Sequence, residues 1–320
     1  MAIYITADLH LAASNSTLLD AFETFVAALN VGDELYILGD LFNFFVGLDS
    51  HNEAQNRVSK VLHQAKERCI ASYFVRGNRD FLMTGQEADI LGMRLLDEHT
   101  VIRRFGHVML LTHGDLLCTN DRSYLRYHRT VNQPWLQLLF RSLPLSLRRA
   151  IASRIREQSQ EAYSSRRDPD IYGVVPESVS QMCRDQSKDY VPESPGEESL
   201  RITDVVHGHI HEFSSFAGEH EDYDHRYVMG SWGQNYSCLC VDEHGNCEMI
   251  ERPVQELLET GRIHHSLTTA PAAQTAPAFQ TAPASQISPG AQTAPAAPLA
   301  AAAAQPSDSS AEAETSGTTL

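Results

Sequence analysis

The chain runs to 320 residues, 42% hydrophobic and 21% charged, the proportions of a soluble globular protein with one sizeable domain or two small ones. Its formal net charge of -16 opposes nucleic-acid backbones and anionic membranes as partners of the whole molecule, so any local basic patch carries information.

Cys69, Cys118, Cys183, Cys238, Cys240 and Cys247 form no CxxC pairs at zinc-site spacing and are too scattered for a disulfide framework, so reduced thiols are expected. No stretch approaches the roughly 20 apolar residues of a spanning helix. The amino terminus lacks the basic and apolar regions of a cleavable leader. A soluble, cytoplasmic protein is the expectation.

In chain order, Ile3 to Ala7, Leu35 to Leu38, Tyr73 to Val75 and Val108 to Thr112 are short apolar runs that read as buried strands. Between them Leu18, Leu19, Phe22, Phe25, Val26 and Leu29, then Val58, Val61, Leu62 and Ala65, recur at helical spacing. This alternation predicts parallel pairing in a layered α/β domain from Met1 to about Thr112.

The segment from Cys118 to Arg167 has almost no strand pattern, and Pro134 and Pro144 fit helix starts. Arg122, Arg126, Arg129, Arg141, Arg148, Arg149, Arg154, Arg156, Arg166 and Arg167 fall here, opposed only by Asp121, Glu157 and Glu161. This helical insertion, about residues 118–167, is either a solvated arginine face or a cap that receives an anionic, lipidic ligand; composition leaves both open.

A polar, acidic loop spans Arg184 to Arg201. Strands resume at Asp204 to Val206, Tyr227 to Met229, Ser237 to Val241 and Glu248 to Ile250, and their closer spacing predicts an antiparallel second layer. The domain is expected over residues 1–265. Residues 266–320 repeat Gln-Thr-Ala-Pro-Ala from Gln274, Gln280 and Gln292 and read as a disordered tail.

The strand-like runs each lead into metal-seeking side chains. These are Asp8-x-His10, Gly39-Asp40, Gly77-Asn78-Arg79-Asp80, His113-Gly114-Asp115 and Gly208-His209-Ile210-His211. In open α/β sheets, ligands gather at the carboxyl ends of strands. Asp8 and His10 lie two apart and leave an extended backbone on one side, as do His209 and His211. Carboxylates, imidazoles and an amide oxygen together suit Mn, Fe or Zn better than Ca. Two such cations about 3.5–4 Å apart activate water for phosphoryl displacement.

The order Asp-x-His, Gly-Asp, Gly-Asn, His-Gly, Gly-His-x-His resembles that of the calcineurin-like metallophosphoesterases over roughly Met1 to Pro253. Within that superfamily, three features resemble the UDP-2,3-diacylglucosamine hydrolases of lipid A synthesis. They are Gly77-Asn78-Arg79-Asp80-Phe81-Leu82, His113-Gly114-Asp115-x-Leu117-Cys118-Thr119-x-Asp121, and Trp135-Leu136-Gln137 ahead of the arginines.

The resemblance implies an α-β-β-α sandwich with a helical cap. It also implies one Mn ion on Asp8, His10, Asp40 and His211, a second on Asp40, Asn78, His113 and His209, and Asp40 as the bridge. The implied reaction is attack at the α-phosphorus of UDP-diacylglucosamine, releasing UMP and 2,3-diacylglucosamine 1-phosphate. Asn78, Arg79, Asp121, Ser159, Tyr163, Arg166 and His209 match substrate-contacting positions. The implied location is the cytoplasmic face of the inner membrane, held peripherally on its anionic surface.

Arg79 stands where a histidine is usual in the wider superfamily, and its fork suits phosphate oxygens. Tyr163 stands where Asn is usual, Arg166 where Lys is usual, Glu212 where Arg is typical, and Gly47-Leu48-Asp49 where Gly-Asp-Asp is typical. These departures touch headgroup and acyl contacts, and no metal ligand is lost. The alternatives are a phosphodiesterase or nuclease on the same scaffold, which the charge and the lack of aromatic and basic interleaving disfavour, and a non-catalytic metal-bound interaction module.

Overall fold

The computed structural model describes residues 1–165, 172–188 and 200–263, without the side chains of 156–165. Arg166 and Arg167, most of the acidic loop and the tail expected at 266–320 lie outside the described residues. The described chain runs β1 (Ala2–Thr6), α1 (Ser16–Ala28), β2 (Glu34–Leu38), α2 (Glu53–Glu67), β3 (Ala71–Val75), α3 (Gly85–Leu91), β4 (Arg94–Leu95), β5 (His99–Arg104) and β6 (His107–Thr112). It continues through the cap helices α4 (Arg122–Val131), α5 (Pro134–Ser142) and α6 (Leu145–Ser165), then α7 (Pro176–Lys188). The last elements are β7 (Asp204–His207), β8 (Ser214–His220), β9 (Tyr223–Val228), β10 (Asn235–Asp242), β11 (Cys247–Pro253) and α8 (Val254–Thr260).

Local chemistry sets the helix limits. Asn15 and Asn52 accept the Leu18 and Gln55 amides ahead of α1 and α2, and Thr84 with Glu87 closes a capping box at α3. Gly92 ends α3 in the left-handed region, which a residue with a Cβ rarely adopts.

Two sheets pack face to face. The first has the order β11-β10-β1-β2-β3-β4, with β1 to β4 parallel and β10 antiparallel to β1. The second has the order β5-β6-β7-β9-β8, with β6, β7 and β9 parallel.

Side-chain parity divides the apolar residues into layers. Tyr4, Leu35, Ile37 and Phe74 face α1, α2 and α8; Ile3, Ile5, Tyr36 and Leu38 face Met109, Leu111 and Val206 across the sheets. On the far side Leu110 and Val205 meet Val179 and Cys183 of α7. The expected α-β-β-α sandwich is present.

Two pairing expectations are corrected. β6 belongs to the second sheet rather than continuing the first. The later strands are not one antiparallel layer: β7 and β9 pair in parallel, while β10 and β11 are antiparallel but extend the first sheet. Burial explains the β7–β9 neighbourhood. Every residue of β7 is buried, suiting an interior position, whereas β8 is largely half-exposed and takes the edge.

None of the six cysteines forms a disulfide. Among the described residues no helix is long and apolar enough to cross a membrane.

Helices α4 and α5 bury no residue completely, and Trp135 and Leu138 are 65% and 73% exposed. Several cap arginines point inward rather than presenting one basic face. Arg148 donates to the Val46 carbonyl, Arg149 pairs with Asp49, and Arg141 reaches Leu82 and Glu87.

Candidate metal centre

The five expected motifs leave the ends of β1, β2, β3, β6 and β7, which the two stacked sheets bring to one side. Asp8, His10, Asp40, His209 and His211 all have positive φ, between 50° and 72°. That left-handed conformation turns each side chain off its strand exit at a local energetic cost, a frequent mark of functional sites. Glycine is required beside them by close approach: a Cβ on Gly39 would lie 2.6 Å from the Gly77 Cα and from His113 Nδ1.

The side chains converge. Asp8 Oδ1 lies 3.3 Å from His211 Nε2 and 3.9 Å from His10 Nε2, and the two imidazole nitrogens are 3.2 Å apart. Asp40 reaches both halves of the cluster, with Oδ2 3.9 Å from His10 Nδ1 and Oδ1 3.7 Å from His113 Nε2. Asn78 Oδ1 lies 2.9 Å from His113 Nε2 and 3.1 Å from His209 Nδ1.

Asp8, His10 and His211 form one group able to hold a cation, and Asp8, Asp40 and His113 form another. Asp8 is common to both, so its carboxylate lies beside that of Asp40 between the halves.

The donors fit cations. Asp8 Oδ1 and His10 Nδ1 are buried without any hydrogen-bond partner, a costly state for polar atoms that a metal ion would satisfy. His113 Nδ1 donates to the Leu38 carbonyl at 2.9 Å, which orients the ring with Nε2 facing the cluster. Asp80 does not face the cluster. Its carboxylate accepts the amides of Gly77 at 2.7 Å, Leu41 at 2.8 Å and Asp40 at 3.3 Å, bracing the two turns that carry Asp40 and Asn78.

Burial, reinforced by Asp80 and Asp8, pushes Asp40 up to about 7 despite His113 and Arg79. Burial raises Asp8 too, yet His211, His113 and His10 hold it below the usual carboxylate range. For His113 burial is outweighed by Asp40, Asp8 and Asp115, which lift it to about 9. Burial and Arg79 push His10 down to about 3, and burial and His113 take His209 to about 4. His10 and His209 are thus neutral and ready to ligate, whereas His113 and Asp40 would give up their protons to a divalent cation.

Of the substrate-contact expectations, Asn78, Arg79 and His209 lie in this cluster. The Arg79 amide donates to Asp40 Oδ1 at 2.9 Å, and its guanidinium lies 3.0 Å from Asp40 Oδ2 and 3.2 Å from Asn43 Oδ1. Asp121 caps α4, accepting the Tyr124 amide at 2.8 Å. Ser159 and Tyr163 are carried on α6 with their side chains outside the described set, and Arg166 lies outside it altogether.

Sequence reading missed the buried and half-buried groups behind the site. Asp115 accepts a short hydrogen bond from the Tyr124 hydroxyl, and the Tyr124 ring lies 5.9 Å from that of His209. Asp115 stood in a singled-out motif, but nothing local pointed to Tyr124.

The family model for calcineurin-like phosphoesterases matches residues 1–213. The chain belongs to this family. Relatives named UDP-2,3-diacylglucosamine hydrolase occur in Histophilus somni (34% identical, 76% of this chain and 97% of the relative), in Actinobacillus succinogenes (35%, 74% and 94%) and in Escherichia coli O6:H1 (34%, 79% and 100%). The match spans nearly all of each relative and leaves out part of this chain.

Proposed function

We propose that the protein hydrolyses the pyrophosphate bond of UDP-2,3-diacylglucosamine at the α-phosphorus. Water adds to the uridine-side phosphorus as the P–O–P bridge breaks, giving UMP and 2,3-diacylglucosamine 1-phosphate, a step of lipid A biosynthesis. The observation that carries this reading is the convergence of Asp8, His10, Asp40, Asn78, His113, His209 and His211, with Asp8 Oδ1 and His10 Nδ1 buried and outside any well-formed hydrogen bond. The relatives' shared name supports the substrate.

Asp8, His10, Asp40 and His211 would hold one Mn ion, and Asp40, Asn78, His113 and His209 a second. Such a pair lowers the pKa of a water nucleophile and neutralises charge on phosphoryl oxygens. The chain's residues do the positioning. Asp40 reaches both halves, Asn78 links His113 to His209, and Asp80 holds both turns rigid.

Arg79, now on Asp40, carries a permanent fork whose donors serve the phosphate once cations balance that carboxylate. Asp121 on the cap, with Ser159, Tyr163 and Arg166 as matching positions of the resembled family, would meet the headgroup. Trp135, Leu138 and Leu139, more than half exposed, form an apolar face for acyl chains and for peripheral association with the cytoplasmic side of the inner membrane. Residues 1–265 act as one catalytic domain in this reading, and no chemistry is assigned to 266–320.

UMP release from UDP-diacylglucosamine with Mn, compared between wild type and His113→Ala, tests the reading. Turnover by wild type and none by the variant is expected. Cleavage of a nucleic acid or cyclic nucleotide without UMP release would indicate the phosphodiesterase alternative, and no turnover of any phosphate ester would indicate a binding module. Arg79→Ala is expected to lower turnover with both metals retained.

A further inference from the structure

Behind the cluster lies a buried ionic chain built from side chains outside the expected ligand set. Arg226 on β9 and Glu219 on β8 both have side chains only 5% exposed. They form a two-pronged pair, with Nε to Oε2 at 2.6 Å and Nη2 to Oε1 at 2.7 Å, and the guanidinium lies over the Phe216 ring at 4.1 Å. Its remaining nitrogen, Nη1, is 3.1 Å from Nε2 of the fully buried His207.

A guanidinium only donates and keeps its proton, so His207 Nε2 must be the acceptor and Nδ1 must carry the hydrogen. That Nδ1–H points at the Gly208 carbonyl, 3.0 Å away. Arg226 therefore selects the tautomer of a histidine that grips the backbone of the Gly208–His211 turn.

Two strand exits meet at His207. The Gly208 amide donates to the His113 carbonyl at 2.9 Å, the His209 amide donates to Asp8 Oδ2 at 2.8 Å, and the Gly208 carbonyl also accepts the Ile210 amide at 2.9 Å. From the other side, a Cβ on Gly114 would lie 2.9 Å from His207 Nδ1, so the imidazole packs directly against the turn after His113. A buried ion pair is weak support for a fold, because desolvation offsets most of its attraction. One that spends a donor on a histidine behind a ligand-bearing turn has a more specific use.

We infer that Arg226, held by Glu219, is a positioning residue for the metal centre, acting through His207 to fix the turn that presents His209 and His211. This rests on the assignment of those two histidines as ligands. Partners behind metal ligands of this kind typically alter metal affinity by roughly 10–100-fold.

Mn binding to the metal-free full chain, followed by calorimetry, tests the inference without reference to turnover. The double variant Glu219→Gln/Arg226→Met removes both charges together and leaves no unpaired buried ion, so it is expected to fold. It should bind Mn at least tenfold more weakly than wild type, while the KM for substrate at saturating Mn stays within about twofold. His207→Phe, which keeps the ring and loses both hydrogen bonds, should weaken Mn to a similar degree.

The triple variant His207→Phe/Glu219→Gln/Arg226→Met should bind Mn no more weakly than His207→Phe alone, since the effect of Arg226 passes through that ring. Additive losses in the triple variant, or wild-type Mn affinity in the folded double variant, would overturn the inference. Two Mn bound by wild type without UMP release would sink the proposed substrate and leave this inference standing.

Discussion

Arg141 of α5 donates from Nη2 to Glu87 Oε1 at 2.9 Å and from Nη1 to the Leu82 carbonyl at 2.8 Å, so the cap is bolted to the start of α3. Burial raises the Glu87 pKa, but Arg141 and the Thr84 hydrogen bonds bring it below its ordinary value. A depressed carboxylate contributes stability above its unfolded pKa and loses it as pH falls through the folded pKa. Arg141→Ala should therefore be less stable at neutral pH, by about 1 kcal/mol, and the gap should narrow in acid as the Glu87 share is lost. A gap that persists unchanged below about pH 3 would contradict this role.

The opposite pH dependence is expected at the far end of the sheets. His107 Nδ1 lies 2.7 Å from Asp204 Oδ2 and its Nε2 lies 2.9 Å from the Gly245 carbonyl, joining the second sheet to the β10–β11 turn of the first. Burial lowers its pKa, but Gly245 and Asp204 together raise it above the ordinary value. The stabilisation is complete below the unfolded pKa and is lost as pH rises through the folded one. In urea titrations the gap between wild type and His107→Gln should be largest near pH 6 and shrink by about pH 9; a gap that widens with pH would refute it.

Gly208→Ala should disable the metal centre while leaving the fold in place. The added methyl would meet the Asp8 carboxylate and the Ala7 Cβ, the latter at 2.6 Å, so a cluster side chain must yield. Overpacking of this kind costs about 1–3 kcal/mol. Metal analysis of the purified variant should show less than the wild-type content, and turnover should fall on the order of 100-fold. Full metal content would show that the turn tolerates the methyl.

Trp135→Ser and Leu138→Ser remove apolar area that the fold leaves exposed. Their melting temperatures should match wild type. Co-sedimentation with phosphatidylglycerol vesicles should drop on the order of tenfold, consistent with transfer energies of about 1.5–3 kcal/mol for large apolar side chains. Equal sedimentation would remove this face from the membrane proposal.

The metal-seeking residues were legible because each sits at the end of its own apolar run, and strand ends of one sheet sandwich share a side. Asp8 and His10 declared themselves by spacing alone. Sheet membership did not. Leu110 alternates as regularly as Ile37, and nothing in that alternation says which sheet a strand joins.

Composition could not decide the role of the cap arginines for a related reason. Arg141, Arg148 and Arg149 find carboxylates and carbonyls of the domain beneath, partners distant in sequence. The support behind the site was hidden for the same cause. Glu219, Arg226 and His207 meet only after β8 folds back on β9, and Asp80 shows its bracing role only once its oxygens meet the backbone.

The left-handed backbone at Asp8, His10, Asp40, His209 and His211 sets a trade-off for any effort to harden this protein. Glycine relaxes that geometry, so a laboratory screen that rewards heat resistance alone would favour glycine at the very places where chemistry resides. Survivors of such a screen would be sturdier and inert, and only a paired turnover assay would reveal the loss.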